Sequence, residues 1–242
     1  MSREGKTISR SGLFGLAAAL IAVPAVIALG VSVWDDRKYM IVSLLVLLIT
    51  MLPFFIGFEK RRPNARELVM LAVMIALGVA GRAAFYMLPS FKPMLAVVII
   101  TGVAFGPGAG FITGAMTVFV SNFMFGQGPW TPWQMEAAGI IGLLAGIIFH
   151  RRDGELPKLV PLCLFGGVCA LVIYGLIADT STVFTTQNEI TWQALTAAYA
   201  SGLVMNLIHA AATVAFLLLL ARPMLKKLNR LRVKYGLLDE TE

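Results

Sequence analysis

Eight apolar stretches, set apart by charged or Gly/Pro-rich residues, decide what this chain can become. They run over about 12–34, 39–57, 67–88, 93–106, 109–125, 133–149, 159–178 and 194–222. A backbone in lipid must satisfy its own polar groups, which leaves helices or a closed barrel. A barrel needs apolar–polar alternation, and none is present. With a mean hydropathy of +0.83 and 14% charged residues, the chain is not an ordinary soluble domain. The expected fold is an all-α polytopic membrane protein of about eight transmembrane helices.

Charge divides the chain most sharply at Glu59–Arg66. The expected organisation is an accessory N-terminal hairpin over 1–58, a basic cytoplasmic linker over 59–66, a six-helix core over 67–222 and a charged cytoplasmic tail over 223–242. Residues 12–34 are too long for a signal-peptide core and are read as a mature helix. With the N-terminus inside, sixteen Lys and Arg fall on the inner side. Arg37, Lys38 and Lys92 lie outside, and Arg82 sits near an outer helix end. That bias places both termini in the cytoplasm. The net charge of +7 is spread over short runs between apolar spans, which fits membrane orientation and excludes nucleic-acid binding.

The loops at 89–92, 126–132 and 179–193 are then external. Gly126, Gly128, Pro129 and Pro132 break the helix in the second of them. Around these breaks sit Asn122, Gln127, Trp130, Thr131, Trp133 and Gln134. Two indoles among neutral hydrogen-bonding groups suit a flat, polar, uncharged or weakly charged ligand, and equally an interfacial anchor. The segment 93–106 rises only about 21 Å against a hydrocarbon core of about 30 Å. Its irregular ends predict a recess near Lys92.

Arg82 and Tyr86 lie one turn apart. Arg82 either pairs with Glu136, contacts an anionic ligand group or snorkels to outer headgroups. Glu136 also suits the helix dipole with no functional role. Asn206 and His209 share a face of the last segment, with Tyr199 nearby, and either line a cavity floor or bond between helices. Asp179 and Glu189 are read as part of the loop 179–193, a lid or a solvated connection. Ala72, Ala76, Ala80 and Ala84 put small side chains on one face, for a partner or for internal packing. Gly110/Gly114 and Gly142/Gly146 read as internal packing. Cys163 and Cys169 fall on different faces and read as core thiols, with no metal site.

The chain has no Gly-x-x-x-x-Gly-Lys-[Ser/Thr] loop for ATP, no Gly-x-Ser-x-Gly and no His-Glu-x-x-His. No enzyme activity and no cofactor are expected.

The run Lys92-Pro93, Thr101-Gly102-Val-Ala-Phe-Gly106, Gly110-Phe, Thr113-Gly114-Ala and Ser121-Asn122-Phe, continuing through Phe125-Gly-Gln-Gly-Pro-Trp-Thr-Pro-Trp-Gln134, resembles the S components of energy-coupling factor (ECF) transporters. These are substrate-binding subunits of ABC-class vitamin importers, and the closest likeness is to the cobalamin type. The resemblance implies a six-helix core at 67–222 and a multi-pass location in a bacterial or archaeal cytoplasmic (inner) membrane. It also implies an energising module on separate chains, with one membrane coupling subunit and two ATPases. Asn122, Gln127, Trp130, Trp133 and Gln134 are the expected ligand contacts, supported by Arg82, Tyr86, Lys92 and Asn206. Ala72, Ala76 and Ala80 form the expected coupling face. The alternatives are an S component for pantothenate, flavin or folate, or a self-sufficient secondary carrier.

Overall fold

The computed structural model describes residues 51–52, 55–56, 65–151, 154–187 and 190–235. The stretch 12–34, nearly all of 39–57, linker residues 59–64, Arg152, Glu189 and residues 236–242 lie outside the described residues. Six helices carry the fold: α1 (Ala65–Ala84), α2 (Met94–Phe105), α3 (Pro107–Phe125), α4 (Thr131–Phe149), α5 (Leu159–Thr186) and α6 (Trp192–Tyr235). No strand occurs among the described residues. All but α2 are long and apolar enough to cross a membrane. The chain is an all-α polytopic membrane protein, as its apolar pattern predicts.

Helix α2 is the axle. All twelve of its residues are buried, because it is apolar on every side and every other helix touches it. At 12 residues it rises about 18 Å, less than the roughly 30 Å of hydrocarbon. Its first turn is held by Pro93 packing on Gly81 of α1. Its last turn ends at Gly106, whose φ of 92° puts it in backbone space that side-chain-bearing residues avoid. Pro107 then opens α3 with no loop between.

Helices α2, α3 and α4 meet backbone to backbone. A Cβ on Gly102, Gly110 or Gly142 would collide with the main chain of a neighbouring helix, and Gly114 faces the carbonyl of Ala138 in the same way. Small residues one turn apart permit this approach, as the glycine spacing predicts. Helix α1 lays Glu67, Leu71, Met74 and Gly78 against the core, with Gly78 on Thr117 of α3. Helices α5 and α6 pair antiparallel, with Gly166 beside Thr213 and Leu217, Gly175 beside Asn206, and Gly202 beside Asp179. A π-helical turn, Cys169–Tyr174, interrupts α5. Cys163 and Cys169 are free and buried, so the thiols are core groups.

Helix α1 ends at Ala84 and not at 88, so Tyr86 lies in the turn after it, and two further boundaries differ from expectation. Helix α6 does not stop at 222 but runs through Pro223 to Tyr235. Proline costs a helix about 3 kcal/mol, yet the segment beyond it is anchored by buried Leu225, Leu228 and Arg232. Arg232 donates to the carbonyls of Ala104 (3.3 Å) and Arg151 (3.2 Å), and Asn229 to that of Gly154 (2.8 Å). The Ala104 carbonyl in the last turn of α2 is thus capped by a cation, as helix C-termini favour. The second difference is Asp179, which is helical, not part of a loop. The Ser/Thr-rich run after it is helical, and its hydroxyls are satisfied by bonds back one turn. Ser181 and Thr182 donate to Ala178, Thr185 to Ser181 and Thr186 to Thr182.

Candidate functional site

The polar centre lies where the end of α1, the end of α3 and the start of α4 converge. Asn122 is its hub. Its side-chain oxygen accepts from Arg82 Nη1 at 2.6 Å, and its amide nitrogen donates to Thr131 Oγ1 (2.9 Å) and Gln134 Oε1 (3.1 Å). Ser121 Oγ also accepts from Arg82 Nη1, at 2.6 Å. The Phe125 ring lies 4.8 Å from the guanidinium carbon, close enough for a cation–π contact. Thr131 also accepts from the Gly128 amide at 3.3 Å, which closes the turn between α3 and α4.

This geometry has a consequence for stability. Asn122→Leu keeps the volume but strips Arg82, Thr131 and Gln134 of a shared partner in a buried site. We expect about 3 kcal/mol of lost stability, read as a lowered melting temperature of the purified protein. An unchanged melt would refute the hub role.

The loop after α1 packs two of its rings onto α6. Phe85, Phe91 and Phe216 form an aromatic cluster with ring centroids 5.1 to 6.2 Å apart. Lys92, half-buried, donates to the Leu88 carbonyl at 3.1 Å. Burial, and then the like charge of Arg82, push its ammonium below the usual lysine pKa. Arg82 lies within electrostatic reach of Tyr174, and Arg82 and Lys92 of His209. Tyr174 meets the His209 ring edge-on at 4.8 Å.

The remaining candidates separate into engaged and rim positions. Trp133 is buried against Phe184, ring centroids 5.3 Å apart, and its Nε1 has no hydrogen-bond acceptor among the described residues. Asn206 donates to Asp179 at 2.7 Å, and Tyr199 shares a hydrogen bond with Thr180 at 2.9 Å. Both bonds join α5 to α6. Trp130 is exposed, and so is Gln127, which turns back to donate to the Phe119 carbonyl. Tyr86 is exposed as well, its ring 5.2 Å from that of Phe125. Glu136 is buried in the first turns of α4, whereas Arg82 makes no ion pair among the described residues. Sequence reasoning did not select Ser121, Phe125, Tyr174 or Phe184 as site residues. Ser121 alone had a signal, as the neighbour of Asn122 at a helix end.

Residues 62–229 match the family model of the ECF-type riboflavin transporter S component. The chain belongs to that family. It is 31% identical over 135 residues to a UPF0397 protein of Vibrio atlanticus (strain LGP32), covering 50% of this chain and 72% of the relative. UPF0397 proteins of Aliivibrio fischeri strains MJ11 and ATCC 700601 / ES114 are each 28% identical over 137 residues, with the same coverage. No solved structure matches the chain significantly. The family is a class of transporter subunit and not of enzyme. ECF S components work with an energising module of a membrane subunit and ATPases, in keeping with a sequence that lacks a phosphate-binding loop. The matched description names riboflavin, where the motifs drew the closest likeness to cobalamin-type S components.

Proposed function

We propose that this chain is the substrate-specific subunit of an ECF-type importer, capturing a flat vitamin-like nutrient at the end where α1, α3 and α4 converge. The Asn122-centred network is the observation that carries the reading. It joins three helices through buried and half-buried polar side chains and sits beside buried Trp133, whose N–H lacks an acceptor among the described residues. A buried unmet donor costs about 1–3 kcal/mol, and a ligand carbonyl or ring nitrogen would relieve it. Asn122, Gln134, Trp133 and Arg82 form the inner contacts on this reading. Gln127, Trp130, Tyr86, Lys92 and Asn206 form the rim and far wall.

The family description favours a flavin-class nutrient over the corrinoid that the motifs suggested. Residues 67–222 act as the binding core, and the hairpin of 1–58 is accessory. The Lys/Arg bias puts the site outside and both termini in the cytoplasm of a bacterial or archaeal inner membrane. After loading, Ala72, Ala76 and Ala80 dock on the coupling subunit, and ATP hydrolysis there drives delivery inward.

Mass spectrometry of whatever co-purifies with the protein tests this. An isoalloxazine is expected, and a corrin would restore the cobalamin-type reading. Uptake by the chain alone in liposomes, with no ATPase partner, would overturn the S-component role in favour of a secondary carrier.

A further inference from the structure

A guanidinium has five N–H bonds, and Arg82 directs its hydrogen bonds through Nη1 alone, to Ser121 and Asn122. The edge formed by Nε and Nη2 is left without a hydrogen bond among the described residues. That edge has the fork geometry that receives two oxygens of one carboxylate or phosphate. The fork is also held in place. Nη1 is fixed by two acceptors, Phe125 lies over the guanidinium, and Asn122 is itself fixed by Thr131 and Gln134.

Lys92 stands beside it. Pro93 packs on Gly81 one residue before Arg82, and Phe91 lies 6.2 Å from Phe85, so the turn after α1 folds the lysine back toward the arginine. The ammonium bonds only the Leu88 carbonyl, and neither cation has a carboxylate partner among the described residues. Asp179, the acidic side chain on α5, is bonded to Asn206. Arg82 is a half-buried cation near a membrane helix end with only neutral partners, where such charges are otherwise paired or turned toward a polar cavity. Lys92 in the adjoining loop adds a second positive charge.

We propose that the open edge of Arg82, with Lys92 beside it, grips a carboxylate or phosphate group of the transported nutrient. This rests on the nutrient-capture reading above and narrows it: the chain selects an anionic nutrient, such as a flavin phosphate or a carboxylate-bearing vitamin, over its neutral counterpart.

The test is equilibrium binding to the full chain in phosphatidylcholine nanodiscs. The ligands are riboflavin and cyanocobalamin, which are neutral, and flavin mononucleotide, folate and pantothenate, which are anionic. One anion should bind at least about tenfold tighter than either neutral ligand, as expected for a charge-assisted bidentate contact. Arg82→Gln should erase that preference, and Arg82→Lys, which keeps the charge but loses the fork, should retain only part of it. Should Arg82→Gln fail to fold, Lys92→Gln carries the test, with an expected loss for the anion several-fold larger than any loss for riboflavin.

A neutral ligand that binds tightest, with affinity unmoved by either variant, overturns this proposal and leaves the S-component reading standing. If none of the five binds, the capture reading falls and the proposal with it. Adding phosphatidylglycerol to the discs separates the sources of the anion. If it suppresses nutrient binding as strongly as Arg82→Gln does, the fork belongs to a lipid headgroup and the nutrient assignment is overturned.

Discussion

Gly142→Leu is expected to abolish the folded protein. The Cβ alone would meet the Gly110 carbonyl of α3 and the Val98 side chain of α2, and a leucine adds three more carbons to that collision. A flexible side chain can move aside; a carbonyl inside a packed helix cannot. Overpacking a core usually costs about 1–3 kcal/mol. Here main chain is struck where α3 and α4 are in closest contact, so about 3 kcal/mol or more is expected. The measurement is the yield of monodisperse protein in detergent, with a thermal melt of what survives. Gly108→Leu is the control, because nothing lies within 4 Å of the corresponding position. If the two variants behave alike, close backbone approach does not hold these helices together.

The second large effect falls on transport, not folding. Ala72, Ala76 and Ala80 are exposed, while the face of α1 that packs inward is Glu67, Leu71, Met74 and Gly78. Leu68, Val69, Val73 and Leu77 are exposed beside the alanines, which makes the outer face of α1 apolar as well as flat. Lipid tails cover such a surface adequately, so apolarity alone does not attract a protein partner. Small side chains do, because they let another helix come close. Ala76→Trp fills that approach from a position that is exposed among the described residues. Uptake in cells that carry the energising subunits should fall at least about a hundredfold, as for other interface centres that lose their fit. Ligand affinity and melting temperature should not change. If uptake persists, the coupling face lies elsewhere; if binding is lost too, α1 has a role inside this chain that its exposure conceals.

Much of this was legible from the residues. The helices follow from apolar length, and the burial of α2 follows from an apolar stretch too short to span lipid. The packing of α3 on α4 follows from glycines one turn apart. Asn122 was legible as a candidate because an amide in an apolar stretch needs partners. Its partners were not. Thr131 and Gln134 become its neighbours only when the Gly-Pro turn folds α4 back on α3, and Arg82 reaches it across 40 residues of sequence.

Where the reading missed, local chemistry was overridden by contacts distant in sequence. Proline at 223 signals a stop, but Leu225, Leu228 and Arg232 find a surface to cover. The Ser/Thr-rich run after Asp179 signals a loop, but its hydroxyls have helix carbonyls to bond. The two tryptophans look equivalent in sequence, yet Trp133 is 3% exposed and Trp130 is 41% exposed. The first turn of α4 begins between them and sends one inward.

The wide turn at Cys169–Tyr174 sets the register of everything above it on α5. A π turn accommodates one residue more than an α turn, and each residue advances the azimuth by about 100°. Downstream side chains therefore point about a quarter-circle away from where an unbroken α-helix would aim them. The alignment that lets Asp179 reach Asn206 and Thr180 reach Tyr199 is the product of that single supernumerary residue. A relative that lacked it would turn a different flank of the helix toward its partner, and with it a different chemistry toward whatever enters.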